Sequence, residues 1–80
     1  MKIKILYFAQ LRDIFGDSQE IDVAEGISVK QVEQIIRGQA ESEQLQSLVI
    51  NKAVNEEWAA DGHILKENDT LVLLPPVSGG

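Results

Sequence analysis

The chain has 80 residues with 13 acidic and 7 basic side chains, a formal net charge of −6, one histidine and no cysteine. This length allows one small domain near the lower limit for an independent core, and without cysteine it has no disulfide framework, thiolate metal site or thiol nucleophile. The acidic balance argues against nucleic acid or an anionic membrane as partner, and the lone His63 leaves no imidazole pair for a transition metal or a proton relay.

The basic, then apolar start Met1 to Phe8 is too short for a signal-peptide core, and Gln10, Arg12 and Asp13 interrupt it at once. No segment approaches the ~20 apolar residues of a membrane span, so a cytoplasmic protein is the expectation. Residues 2–8 alternate as a strand, with Ile3, Ile5 and Tyr7 on one face and Lys2, Lys4, Leu6 and Phe8 on the other. Leu11, Ile14 and Phe15 have helical spacing, which predicts one or two helical turns over 9–15, stopped by Gly16. A turn at Gly16-Asp17-Ser18 precedes a second strand at Glu20-Ile21-Asp22-Val23, expected antiparallel to the first.

The sharpest local signal is Ser28-Val29-Lys30-Gln31, a capping box in which hydroxyl and amide satisfy two otherwise orphan backbone donors. It predicts the main helix over 28–38, with Val29, Val32, Ile35 and Ile36 inward, Lys30, Glu33, Gln34 and Arg37 in water, and Gly38 as the stop. Polar residues 39–47 predict a loop or a marginal turn of helix. Leu48 to Val54 is β-rich, Asn55-Glu56-Glu57 suits a hairpin turn, and Trp58-Ala59-Ala60 suits a short returning strand. After a turn at Lys66-Glu67-Asn68-Asp69 comes Thr70-Leu71-Val72-Leu73-Leu74, apolar on both faces as a central strand should be. One amphipathic helix can cover only one face of such a sheet, so a two-layer α+β domain is expected, with the first and last strands side by side and parallel.

Past the last strand stands Pro75-Pro76-Val77-Ser78-Gly79-Gly80. Prolines cannot donate to a ladder and hold the chain extended, while two residues without Cβ can enter a channel too narrow for any other. A carboxylate on Gly80 is a poor electrophile until it is joined to AMP, which supplies a leaving group. The glycine pair alone would also suit a frayed terminus; its place six residues beyond a buried strand, with a stiff stretch between strand and glycines, favours delivery into another protein's active site.

Tyr7-Phe8-Ala9-Gln10-Leu11-Arg12-Asp13, Ala53-Val54-Asn55, the acidic turn after Leu65 and the closing Pro75-Pro76-Val77-Ser78-Gly79-Gly80 together resemble the small subunits of molybdopterin synthase, a sulfur carrier family, over essentially the whole chain. The resemblance implies a ubiquitin-like β-grasp over 1–74, with a mixed sheet of about four to five strands on one main helix, and a flexible, extended tail over 75–80. It implies that Gly80 is adenylated by a ubiquitin-activating-type adenylyltransferase, which uses ATP and magnesium, and converted to a thiocarboxylate by a persulfide sulfur donor. The tail, Pro75, Pro76, Val77, Ser78 and Gly79, would then insert into the large subunit of a heterotetramer of two small and two large subunits. There Gly80 would donate sulfur to a cyclic pyranopterin phosphate, building the dithiolene of the molybdenum cofactor. No permanently bound cofactor or metal is implied. Carriers for thiazole or tRNA thiolation and ubiquitin-like protein modifiers share the Gly-Gly end and remain alternatives.

For docking, alternation puts Phe8 on the outer face of the first strand, and Leu74 closes the neighbouring one. Trp58 extends the same patch from the hairpin arm, an aromatic-rich cluster of the kind that anchors interfaces. The resemblance adds Arg12 as a residue that salt-bridges a partner.

Overall fold

The computed structural model describes residues 1–40 and 42–76, and Val77, Ser78, Gly79 and Gly80 lie outside them. Its elements are β1 (Lys2–Tyr7), α1 (Gln10–Phe15), β2 (Ser18–Asp22), α2 (Val29–Gly38), α3 (Glu43–Ser47), β3 (Asn51–Val54), β4 (Glu57–Trp58) and β5 (Thr70–Leu74). The strands make one mixed sheet ordered β2-β1-β5-β3-β4. β1 is antiparallel to β2 and parallel to β5, and β3 is antiparallel to both β5 and β4. The first and last strands are thus neighbours, as their apolar character requires, and β5 takes the centre. None of the helices among the described residues is long and apolar enough to cross a membrane.

One face of the sheet carries the core. Ile3, Ile5 and Tyr7 of β1 and Leu71 and Leu73 of β5 are buried with Val29, Val32 and Ile36 of α2, and Leu11, Leu45, Val54 and Leu65 close the cluster from its margins. Full burial of side chains of this size stabilises by roughly 1.5–3 kcal/mol each, which is how so small a domain does without crosslinks. Tyr7 also stacks on Phe15 with ring centroids 4.9 Å apart, and its hydroxyl donates to Gln19 Oε1 at 2.6 Å. Burial pushes its phenol up to about 12.

Both halves of the capping box form: the Gln31 amide N–H donates to Ser28 Oγ at 3.2 Å, and the Ser28 N–H donates to Gln31 Oε1 at 2.9 Å. Downstream the expected pattern departs from the structure in three places, at Ile35 with Glu33, at Gly38 and at the returning strand. Ile35 is 44% exposed, whereas Glu33, expected in water, is only 3% exposed. Gly38 belongs to the helix rather than ending it, with Gln39 as a right-handed cap. The segment expected as a loop or a marginal turn of helix takes the second form, a short helix, α3, capped by Ser42, whose hydroxyl accepts from the Leu45 N–H at 3.2 Å, and pinned by the fully buried Leu45. The returning strand is Glu57–Trp58 rather than 58–60, because the turn needs only Asn55 and Glu56, at φ of 49° and 74°.

The connection from β1 to α1 is a tight reversal in which Leu11 N–H donates to the Phe8 carbonyl at 3.1 Å. Ala9 carries it at φ 53°, ψ −130°, the first central position of a type II′ turn, where glycine is strongly preferred. Ala9→Gly should therefore stabilise the domain by about 1 kcal/mol, equivalent to a rise of about 4 °C or more in Tm for a domain of this size. Calorimetry checks it, and a lowered Tm would contradict the strain.

Candidate functional site

Register decides what the outer face of the sheet presents. Leu6 pairs with Val72, Val72 with Ala53, and Ala53 with Trp58, so these four side chains form one row across β1, β5, β3 and β4. One step nearer the end of β5, Phe8 follows Leu6 and Leu74 follows Val72 on the same face, with the Phe8 N–H donating to the Leu73 carbonyl at 3.2 Å. Phe8 is 45% and Trp58 73% exposed, while Leu6, Val72 and Leu74 are half-buried. Among the described residues no helix covers this face, and an apolar cluster left open to water is the mark of a surface that meets another protein. At the far end of the face the pattern is ionic: Lys2 stands opposite Asp22 and Lys4 opposite Glu20, which keeps the edge pair soluble.

The three apolar residues expected to dock, Phe8, Trp58 and Leu74, are thus brought onto one surface. Alternation alone does not align them with Leu6, Ala53 and Val72, which complete it. Arg12 lies apart from this sheet face on α1, exposed, its Nε 3.9 Å from Asp17 Oδ1, a separation at which a surface pair contributes little. His63 sits exposed in the turn before Leu65, where its carbonyl accepts the Val29 N–H.

The tail leaves this patch at its edge. β5 ends at Leu74 between Phe8 on the β1 side and Asn51 on the β3 side, and Pro75 and Pro76 follow, half-buried and exposed in turn. The residues expected to insert and react, Val77, Ser78, Gly79 and Gly80, lie outside the described residues.

Behind the patch, β3 is held by an ionic network. Glu33 Oε2 accepts from Arg37 Nε at 2.8 Å, and Glu33 Oε1 accepts from Lys52 Nζ at 2.6 Å. Lys52 Nζ also donates to Asp61 Oδ1 at 2.6 Å, and the Arg37 guanidinium donates to the carbonyls of Leu45 and Leu48. Burial alone would push the Glu33 carboxyl up. The hydrogen bonds from Lys52 and Arg37 more than reverse this and hold it below its ordinary value. Burial likewise disfavours the Lys52 ammonium, yet its bonds to Asp61 and Glu33 raise it overall. The network ties α2, α3, β3 and the turn at Asp61 together, so it sets how the strand carrying Ala53 and the Trp58 hairpin lies against β5.

A mixed five-strand sheet with one face buried under a helix and the other apolar and open, followed by Pro75 and Pro76 after its central strand, defines a ubiquitin-like β-grasp domain. The chain belongs to the ThiS family, whose model matches residues 5–80. It is 31% identical to the molybdopterin synthase sulfur carrier subunit of Chlamydomonas reinhardtii, with 100% of both chains covered. Against the subunit of the same name from Arabidopsis thaliana it is 29% identical, covering 100% of this chain and 84% of that protein. Among solved structures, a putative molybdopterin converting factor subunit 1 from Pyrococcus furiosus superposes with a TM-score of 0.83 at 30% identity, covering 96% of this chain and 99% of the other. SAMP1 from Haloferax volcanii gives 0.82 at 27% identity with both chains fully covered. A complex of subunits 1 and 2 of the molybdopterin-converting factor from Helicobacter pylori gives 0.68 at 26% identity, again with 100% of both chains covered.

Proposed function

We propose that this protein is the sulfur carrier subunit of a molybdopterin synthase. The observation that carries the reading is the open apolar sheet face around the base of the tail, on a chain of this family that closes with Pro75-Pro76-Val77-Ser78-Gly79-Gly80. Docking by the face fixes the domain, and the tail then reaches a partner's active site. In the first encounter an adenylyltransferase joins the Gly80 carboxylate to AMP from ATP, with magnesium on the partner and pyrophosphate released. A persulfide sulfur displaces AMP, and cleavage of the acyl disulfide by a thiol leaves the thiocarboxylate. In the second encounter the large subunit receives the tail, and the thiocarboxylate sulfur, a soft anionic nucleophile, attacks a cyclic pyranopterin phosphate. Acid–base and electrostatic catalysis come from the partners, which fits a chain with one His and no Cys.

Mass spectrometry of protein from its native cell tests this: exchange of one terminal oxygen for sulfur supports the carrier. Attachment through Gly80 to lysines of other proteins would instead identify a modifier, the alternative that the likeness to SAMP1 keeps in view. The docking face has its own test. Phe8→Asp or Leu74→Asp should weaken large-subunit binding at least about 30-fold, since hot-spot truncations cost ≥ 2 kcal/mol, while the folded circular-dichroism spectrum stays. An unchanged Kd, or an unfolded variant, would remove the docking argument.

A further inference from the structure

The hairpin turn beside the apolar row carries an exposed feature that the fold does not need. Asn55 and Glu56 form the turn at φ of 49° and 74°, the two left-handed positions of a type I′ hairpin, whose preferred sequence is Asn-Gly. Asn55 suits its place and is locked there. Its Nδ2 donates to Asp69 Oδ1 at 2.9 Å, its Oδ1 accepts the Thr70 N–H at 3.1 Å, and its own N–H donates to the Thr70 carbonyl at 3.0 Å. Glu56 has no such reason: a side chain with Cβ at that φ is strained where glycine would not be. Among the described residues no ion pair engages its carboxylate.

Glu56 lines a hollow of about 330 Å³ on the outer face, together with Leu6, Asn55, Thr70 and Val72. Leu6 and Val72 give an apolar floor, Thr70 a hydroxyl, and Glu56 a charge at the rim. The neighbouring charges do not satisfy it. Lys4, beside Thr70 in register, stands opposite Glu20. Asp69 is engaged by Asn55 and by the Lys66 N–H. Glu57, opposite Val54, faces the helix side. A group that complements this hollow has an aliphatic stem for the floor and a cationic head for the rim.

We propose that Glu56 and this hollow receive an arginine or lysine side chain from the protein that docks on the outer sheet face. The inference rests on the docking reading above and names the chemistry that the partner must present there. The locked Asn55 turn fixes the backbone from which the Glu56 side chain projects, so the strain at Glu56 is retained for recognition rather than for folding. With a net charge of −6 on the chain, the same carboxylate favours encounter with a basic surface.

The test measures the Kd of the large subunit for the wild type, Glu56→Gln, Glu56→Gly and Leu74→Asp at low and moderate salt, alongside the Tm of each free domain. Glu56→Gln should weaken binding about 5- to 10-fold and flatten its salt dependence. Glu56→Gly should weaken it as much while raising the Tm by about 4 °C, so that stability and affinity move in opposite directions. A Glu56→Gln complex within two-fold of the wild type, with Leu74→Asp still disrupted, would overturn the cationic contact and leave the docking face standing. If Leu74→Asp also binds normally, the docking reading fails and the inference falls with it. Loss of affinity in Glu56→Gln with unchanged salt dependence would mean that a neutral donor fills the hollow, and would likewise overturn it.

Discussion

Glu33→Ala should lower the stability of the domain by about 3 kcal/mol, the lower end of what removing one partner of a buried ion pair costs. The lower end applies because Lys52 keeps Asp61 and the Arg37 guanidinium keeps two backbone carbonyls. Against the 4–12 kcal/mol or so expected for a domain of this size, that is a fall of about 15 °C in Tm. Two cations would be left half-buried between α2 and β3 with their common acceptor gone. The pH dependence separates this network from plain packing. Glu33 holds its proton more weakly in the fold than in the unfolded chain, so its contribution is present above the ordinary carboxylate range. It is lost as the pH falls through the lower, folded value. Glu33→Gln keeps the shape and should lose this acid-sensitive component. Urea unfolding of wild type and Glu33→Gln at neutral pH and near pH 3 would show it, and parallel losses in both would place the acid sensitivity elsewhere.

Deleting Gly80 should abolish sulfur donation while leaving the fold untouched. The described core ends at Leu73, so Tm should not move, and the sheet face should still hold the large subunit. The terminal carbon, however, retreats by about 3.5 Å, and a misplacement of about 1 Å at a reacting centre can already cost ~10²-fold. Conversion of cyclic pyranopterin phosphate by the assembled complex should therefore fall below detection, with binding retained. The Phe8→Asp phenotype is the reverse, a reactive end that no longer docks. Cofactor synthesis that survives loss of Gly80 would refute the carrier.

The elements legible from sequence are those whose causes lie within a few residues. Ser28 and Gln31 announce the start of α2 because the capping box closes over three residues, and both of its hydrogen bonds form. Alternation names the buried face of β1, since Ile3, Ile5 and Tyr7 follow the pleat whatever lies beside them. Thr70 to Leu74, apolar on both sides, could only be central. The tail sequence is equally local: two prolines that cannot donate to a ladder and two glycines without Cβ are legible as residue types.

The tertiary structure decided what depends on residues far apart in the chain. Glu33 reads as a solvent-facing helical position, and it turns inward only because Lys52, nineteen residues on, arrives from β3 with a charge to match. The stretch holding α3 leaves loop and marginal helix open because its polar run shows no periodicity; Ser42 and the buried Leu45 decide for the helix once a core exists to bury Leu45. The open apolar face is the largest such case, since Phe8 just after β1, Trp58 of β4 and Leu74 of β5 become one surface only through the register that aligns Leu6, Val72, Ala53 and Trp58. Hydrogen-bond caps and side-chain period are local and leave their mark on neighbouring residues, whereas strand register and buried charge pairing are settled by packing between distant segments. For this chain, the tail proposed to react is legible in the sequence, and the apolar surface at its base is made by the fold.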